Sequence, residues 1–518
     1  MTADWVTQGL ARFDFVEVIP PGEIMPPPGG GAGDVEAPEV EDLARRLARE
    51  TRSGTLVTGA YYLNGGGLEF NLRMTEGPDW RLLQTLGPIR GSPEDPVAAV
   101  DVIRERVMVA VATHRDRSLE GTFARSELPP SYPAYLAFVE GFWKTIRGDL
   151  RGATADFVRA NEISPDFISP LIPAGFGFIY GCGDFAKADS VARVAEASKH
   201  RLPRYDRLRL DLLRAVLDGD HHRGYRAAKE ASAILPGGTA HYASADKALH
   251  INRPSETLEI LTAFGLNRDA FRGFVWGWDL LTQAHHLLED HHTELREARR
   301  VRTRVPDLID MAWPEVRALA SLGRVPDLLR VLDACVGLRW TDAVNPGRVM
   351  VGAVEELQVH GFEARTLDVL ERFHMWHDTL SRGERSRSDL RLDLGRALYA
   401  EQRFAEAREV FAELLRETPD HPEYMRFLGT IAARMGDLDE AGSWSQSLAE
   451  LPSKYLFGRH TLGRAALAAR SDDPESALSL LKGAVSQGLV FGIALHADPD
   501  LCVLGDSPGY REFLRPRG

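Results

Sequence analysis

The sequence predicts a mostly α-helical chain, an α-solenoid of helix-turn-helix repeats preceded by a small α/β domain. Three observations carry that prediction. A pattern recurs about every thirty-four residues, the spacing at which antiparallel helix pairs repeat. Small residues return at fixed places inside each unit, and glycine-aspartate pairs punctuate the units.

Residues 1–125 read as the α/β domain. Residues 2–12 have helical periodicity, 15–19 alternate as a strand does, and 40–51 return to a charged amphipathic helix. Between them residues 20–38, with Pro26-Pro27-Pro28 and Gly29-Gly30-Gly31-Ala32-Gly33, are low in complexity and read as a loop. Residues 55–63, the turn Asn64-Gly65-Gly66-Gly67 and residues 68–74 form the run, glycine-rich turn and run of a hairpin. A third strand near 80–86 extends it, and 96–115 form a long amphipathic helix.

The repeats fill residues 126–490, about ten in number by their spacing. In the clearest units, 134–167, 388–421 and 422–455, Gly141, Ala153, Phe157, Ala160 and Pro165 stand where Gly395, Ala407, Phe411, Leu414 and Pro419 stand in the second. The third supplies Gly429, Ala441, Ser445 and Leu448, with Pro452 one place early. A glycine or alanine where two helices cross lets their axes approach, so Gly395 and Ala407 are expected to be buried. Gly148-Asp149, Gly183-Asp184, Gly219-Asp220 and Gly436-Asp437 each end one helix and cap the next. Weaker units fall at 169–203, 205–238, 239–267, 276–308, 309–342, 348–381 and 456–490, and residues 491–518 form a capping tail.

These signatures resemble tetratricopeptide repeats, and the tail from Gly488 through Asp498-Pro499-Asp500 to Leu514 looks like the closing segment of bacterial proteins of that kind. The front, with Gly54-Thr55-Leu56-Val57-Thr58-Gly59 followed by Leu68-Glu69-Phe70-Asn71-Leu72-Arg73, resembles the domain related to the amino-terminal part of TolB. That resemblance implies a bacterial regulatory setting, in which a kinase, a cyclase or a winged DNA-binding domain often precedes the module. A strand usually comes ahead of the helix that here begins at Ala3-Asp4-Trp5, so either the strand is missing or the protein starts upstream.

Composition narrows the function. Cys182, Cys335 and Cys502 fit no metal-ligand spacing and are too few for a disulfide framework, which points to a reducing cytoplasm. No apolar run is long enough to span a bilayer. A net charge of −13 without a lysine-aromatic cluster argues against direct nucleic-acid binding.

Candidate chemistry is sparse. Gly505-Asp506-Ser507-Pro508-Gly509 has the form of a nucleophile elbow, yet Pro508 lacks the N–H that would hold an oxyanion, and a turn is the better reading. His285, His286, Glu289, Asp290, His291 and His292 are the densest group of potential ligands, but Asp290 to His292 read as a turn between repeat helices, as His221-His222 do. The glycine runs lack the lysine and hydroxyl residue of a phosphate-cradling loop, and Trp143, Trp278, Trp313 and Trp444 read as packing residues. No catalytic residue, cofactor or metal site is therefore expected.

Binding is expected instead on the concave wall made by the first helix of each pair. There Arg396, Tyr399, Arg426, Arg434, His460 and Arg464 form a set suited to the carboxylates of an acidic peptide. Asp389, Asp393 and Glu423 balance them in the plainer reading of a solvated surface. The expectation is a non-catalytic scaffold or sensor for protein or peptide partners. The alternatives are a metal-dependent hydrolase built on residues 285–292, and a small-molecule receptor whose pocket would be lined by Tyr61, Tyr62 and Trp80.

Overall fold

The computed structural model describes residues 53–64, 66–115, 130–146, 148–234, 239–264, 266, 275–341 and 344–517, together with positions 45 and 48. The helix expected at 2–12, the strand at 15–19 and the loop at 20–38 lie outside the described residues. Of the helix expected at 40–51 only Arg45 and Ala48 are described, and both are helical. The chain divides into two compact units, Met1–Leu210 and Asp211–Gly518.

In the first unit, alternation of apolar side chains builds an antiparallel meander of β1 (Thr55–Asn64), β2 (Gly67–Glu76) and β3 (Arg81–Gly91) in that spatial order. Thr55 faces Glu76 and Tyr61 faces Phe70, so the register runs the full length of the hairpin. Phe70, Leu72 and Met74, every second residue of β2, turn to one face. They meet Ile103, Val107 and Val111 of α1 (Pro96–Arg115), which cover the sheet. Two hairpins follow: α2 (Tyr132–Ile146) with α3 (Leu150–Ile163), and α4 (Leu171–Cys182) with α5 (Phe185–Ala197).

Helix α6 (Arg204–Asp218) straddles the boundary and leads into α7 (His221–Ile234). In the second unit the pairs are α8 (Thr239–His250) with α9 (Pro254–Phe264), α10 (Val275–Leu287) with α11 (His291–Arg302), α12 (Trp313–Ser321) with α13 (Val325–Cys335), and α14 (Pro346–Val359) with α15 (Thr366–Thr379). A one-turn helix, α16 (Arg382–Arg385), precedes α17 (Ser388–Ala400) with α18 (Phe404–Glu417). Then come α19 (Pro422–Arg434) with α20 (Leu438–Glu450) and α21 (Arg459–Arg470) with α22 (Pro474–Ser486). The tail adds α23 (Ile493–His496) and α24 (Pro508–Leu514).

The crossing geometry explains the repeated small residues. A Cβ on Gly141 would lie 2.8 Å from the Phe157 ring, one on Gly395 2.9 Å from the Phe411 ring, and one on Gly429 2.6 Å from Leu467. Ala153, Ala407 and Ala441 are buried in the same hairpins. At the turns Gly148, Gly183, Gly219 and Gly436 all have positive φ. The following aspartates accept a backbone N–H three residues on: Asp149 from Gly152, Asp184 from Lys187, Asp220 from Arg223 and Asp437 from Glu440, each at 2.9 Å. Where the glycine is missing, Asn252, Glu289, Gln402 and Asp472 adopt the left-handed conformation in its place.

The molecule is thus mostly helical, a run of solenoid-type helix pairs with a small three-stranded sheet ahead of them. Among the described residues no helix is long and apolar enough to cross a membrane.

Candidate functional site

In the second unit α17, α19 and α21, each the first helix of its pair, direct polar side chains at a segment of the same chain. Phe491, Leu495, Leu501, Leu504, Tyr510 and Phe513 of the tail pack on Ala465, Ala466 and Ala469 of α21 and Ala477 and Leu481 of α22. That apolar anchor caps the last hairpin. It also holds Asp498 and Asp500, which are 5% and 0% exposed, against the wall.

Arg426 on α19 donates to Asp498 at 2.7 Å and to Asp500 at 3.2 Å. Arg470 on α21 donates through Nε to Asp500 at 2.8 Å and through its other end to the Pro499 carbonyl at 2.6 Å. The Tyr399 hydroxyl on α17 donates to Asp500 at 2.5 Å, and the Asp500 N–H closes back on Asp498 at 2.9 Å. Burial pushes the Asp500 carboxyl up, but Arg426, Arg470 and Tyr399 outweigh it and hold it below the ordinary value. Burial and the adjacent carboxylate push the Tyr399 phenol upward, so it stays a donor.

The six candidate peptide-binding residues fall into two groups. Arg396 makes a forked pair with Glu355 of α14 at 2.6 and 2.7 Å, and Tyr399 and Arg426 hold the tail. Arg434 lies over the Tyr399 and Phe404 rings at 4.9 and 4.8 Å. His460 and Arg464 stand one turn apart on α21, and the buried Nδ1 of His460 and Nε of Arg464 have no hydrogen-bond partner. Asp393 is fully buried and takes Arg348 at 2.7 Å and Asn345 at 3.0 Å. Glu355 and Arg470 were not singled out from sequence, and Asp498 and Asp500 entered only as part of the closing segment, not as a site. The signal for that pair is two carboxylates flanking Pro499 in a tail otherwise rich in apolar residues.

A second polar cluster is built by α10, α11, α12 and α14. His285 faces Asp290, with its Nδ1 3.5 Å away, whereas the buried His286 turns the other way and its Nδ1 lies 2.9 Å from Glu294. Glu294 also takes His291 at 3.2 Å and Arg317 at 2.6 Å. Arg317 is only 1% exposed and gives a second hydrogen bond to Thr282 at 3.2 Å. His286 Nε2 and His360 Nε2 each lie 3.5 Å from Glu356 Oε2. The pairs one turn apart within residues 285–292, His285 with Glu289 and His286 with Asp290, are not the ones that meet. Asp290 caps α11 through the Thr293 N–H, and Glu289 holds the left-handed turn.

The remaining candidates are dispersed. Ser507 follows the 3-10 turn Cys502–Leu504 and opens α24 with Pro508 in the first turn, as a loop-to-helix junction does. Tyr61 and Tyr62 are exposed on successive positions of β1, near the β1–β2 turn, while Trp80 is buried at the β2–β3 turn, at the opposite end of the meander. The three share no pocket. All three cysteines are free.

The sequence model of the tetratricopeptide repeat family matches residues 392–455, the stretch from α17 to just beyond α20. The helix pairs are tetratricopeptide-like. Among solved structures, a tetratricopeptide repeat protein from Parabacteroides merdae is similar at 12% identity over 58% of this chain and 99% of its own, with a TM-score of 0.30. The Cut9–Hcn1 assembly of the APC/C is similar at 13% identity over 81% of this chain and 90% of its own, with a TM-score of 0.28. The P58(IPK) TPR domain is similar at 13% identity over 75% of this chain and 96% of its own, with a TM-score of 0.23. At these scores the likenesses carry no structural argument. No curated protein matches the chain.

Proposed function

We propose that this chain is a non-catalytic interaction scaffold that binds protein or peptide partners through the inner wall of its helix pairs, in a bacterial signalling or regulatory assembly of the cytoplasm. In this reading residues 1–125 are a module of the kind seen at the amino terminus of TolB, 126–490 are the repeats and 491–518 close them. The supporting observation is that the wall is already shaped for an acidic segment: Arg426 and Arg470 grip Asp498 and Asp500, and Tyr399 adds a neutral donor. The tail serves as the chain's own ligand, and a partner with a similarly spaced acidic pair competes for the same donors. His460 and Arg464, with unsatisfied buried nitrogens, extend the wall beyond the tail.

The test uses the full chain carrying Asp498→Asn and Asp500→Asn, and a fluorescent peptide copying residues 494–504. The double variant captures the peptide in trans at least tenfold more tightly than the unaltered chain, and Arg426→Met in that background removes the gain. Equal binding by the unaltered chain, the double variant and the Arg426→Met form would sink the proposal. Circular dichroism checks that each variant remains helical.

A further inference from the structure

The cluster between α10, α11 and α14 contains two buried carboxylates, Glu294 and Glu356, at 0% and 1% exposure, with one guanidinium, Arg317, paired to the first. Glu294 is fully committed: Oε1 takes Arg317, and Oε2 takes His286 and His291. Glu356 is not. Its Oε1 is buried without a hydrogen-bond partner, and its Oε2 meets Ser321, His286 and His360 only at 3.5 Å. A carboxylate left this way in the interior is costly unless a cation completes it.

The donors around Glu356 have the layout of a metal site. His286 gives its Nδ1 to Glu294, which leaves Nε2 directed at Glu356, the carboxylate–histidine–metal relay in which a second carboxylate fixes the ligand's tautomer. Glu356 lies in the last turn of α14 and His360 is its C-cap, one turn further on and on the same side. The separations of 3.5 Å between Glu356 Oε2 and both imidazole nitrogens match the spacing of about 3.3 Å between N and O donors held at about 2.0–2.1 Å around a tetrahedral ion. One ligand atom from each of His286, Glu356 and His360 lies within 4.8 Å of the others, three protein ligands that leave the fourth position of the tetrahedron to solvent.

We infer that His286, Glu356 and His360 bind one divalent transition-metal ion of the zinc class. Two imidazoles with one carboxylate suit such an ion, and oxygen-seeking calcium or magnesium poorly. His291 and Glu294 stay outside the ligand set, Glu294 orienting His286. The ion joins α10 to the end of α14, and this role is independent of whether the arginine wall takes a partner. It departs from the expectation of a metal-free chain.

The test is elemental analysis of the purified full chain, followed by chelation and titration with Zn²⁺ and Co²⁺. The site holds about one equivalent of zinc, and the Co²⁺ form shows the visible absorption of a tetrahedral N/O centre. His286→Ala and His360→Ala lose the ion, and His291→Ala retains it. Reloading the unaltered apo chain raises its melting temperature, a readout that depends on no variant folding. A chain that takes up neither ion, or that loses it as readily through His291→Ala as through His360→Ala, overturns the assignment.

Discussion

Gly395 is the clearest case of one residue governing packing, because a single added methyl would press into the Phe411 ring. Gly395→Ala is therefore expected to destabilise the second unit by about 1–3 kcal/mol. Gly442, exposed on α20 with open space beyond its Cα, provides the contrast. Gly442→Ala should leave stability unchanged or raise it by about 0.5–1 kcal/mol, and paired thermal melts of the two variants check both. His250 sets the acid limit. Burial drives its imidazole down to about 3, against the opposing pull of Asp246 and with help from Lys247 and His221. A folded-state value depressed below the unfolded one gives stability that is complete above about pH 6.5 and is lost as pH falls toward the folded value. Melting temperature should decline from about pH 6 downward, and His250→Gln should flatten that decline. A pH series of melts on both proteins reads the difference directly.

At the scale of the hairpin, the turn decides where one helix ends. Gln402 occupies the left-handed position that glycine fills in the Gly148, Gly183 and Gly436 turns. Gln402→Gly should therefore stabilise the α17–α18 hairpin by about 0.5–1 kcal/mol, the backbone relief exceeding the entropy lost, as seen in a denaturant titration. This turn chemistry is why the helix pairs were legible in the sequence. Glycine with positive φ followed by a capping aspartate is a local rule, and so is glycine opposite phenylalanine in adjoining helices. The β1–β2–β3 meander was legible for the same reason, through alternation and a glycine-rich turn. The contacts of the arginine-bearing helices were legible only on one side. Helical spacing placed Arg396, Tyr399 and Arg426 together, but their partners Glu355, Asp498 and Asp500 come from elsewhere in the chain. Periodicity carries no information about such distant pairings. The histidine cluster failed on the same ground: neighbours in sequence, His285 and His286, face apart, and Glu356 and His360 arrive from a helix two pairs further on.

At the scale of the whole second unit, its first and last parts are joined. The Phe491 N–H donates to the His250 carbonyl at 3.1 Å, and His221 donates to the Gly488 carbonyl at 2.8 Å. Asn252 donates to the carbonyls of Leu514 and Arg515 at 3.2 and 2.9 Å and accepts the Arg517 N–H on its own carbonyl at 2.7 Å. Asn252→Ala should cost about 1–3 kcal/mol and speed amide exchange across residues 491–517 while helix content holds, which hydrogen-exchange mass spectrometry resolves. The same joint imposes an order of events during biosynthesis. Each hairpin can settle on its predecessor as it leaves the ribosome, since its contacts are local and quick to form. The bonds at Asn252 must wait for residues more than two hundred and fifty positions downstream. Until residues 498–500 emerge, Arg426 and Arg470 have no acidic pair to hold, and a stop falling between Arg470 and Asp498 leaves an unclosed protein with bare cations for quality control to recognise.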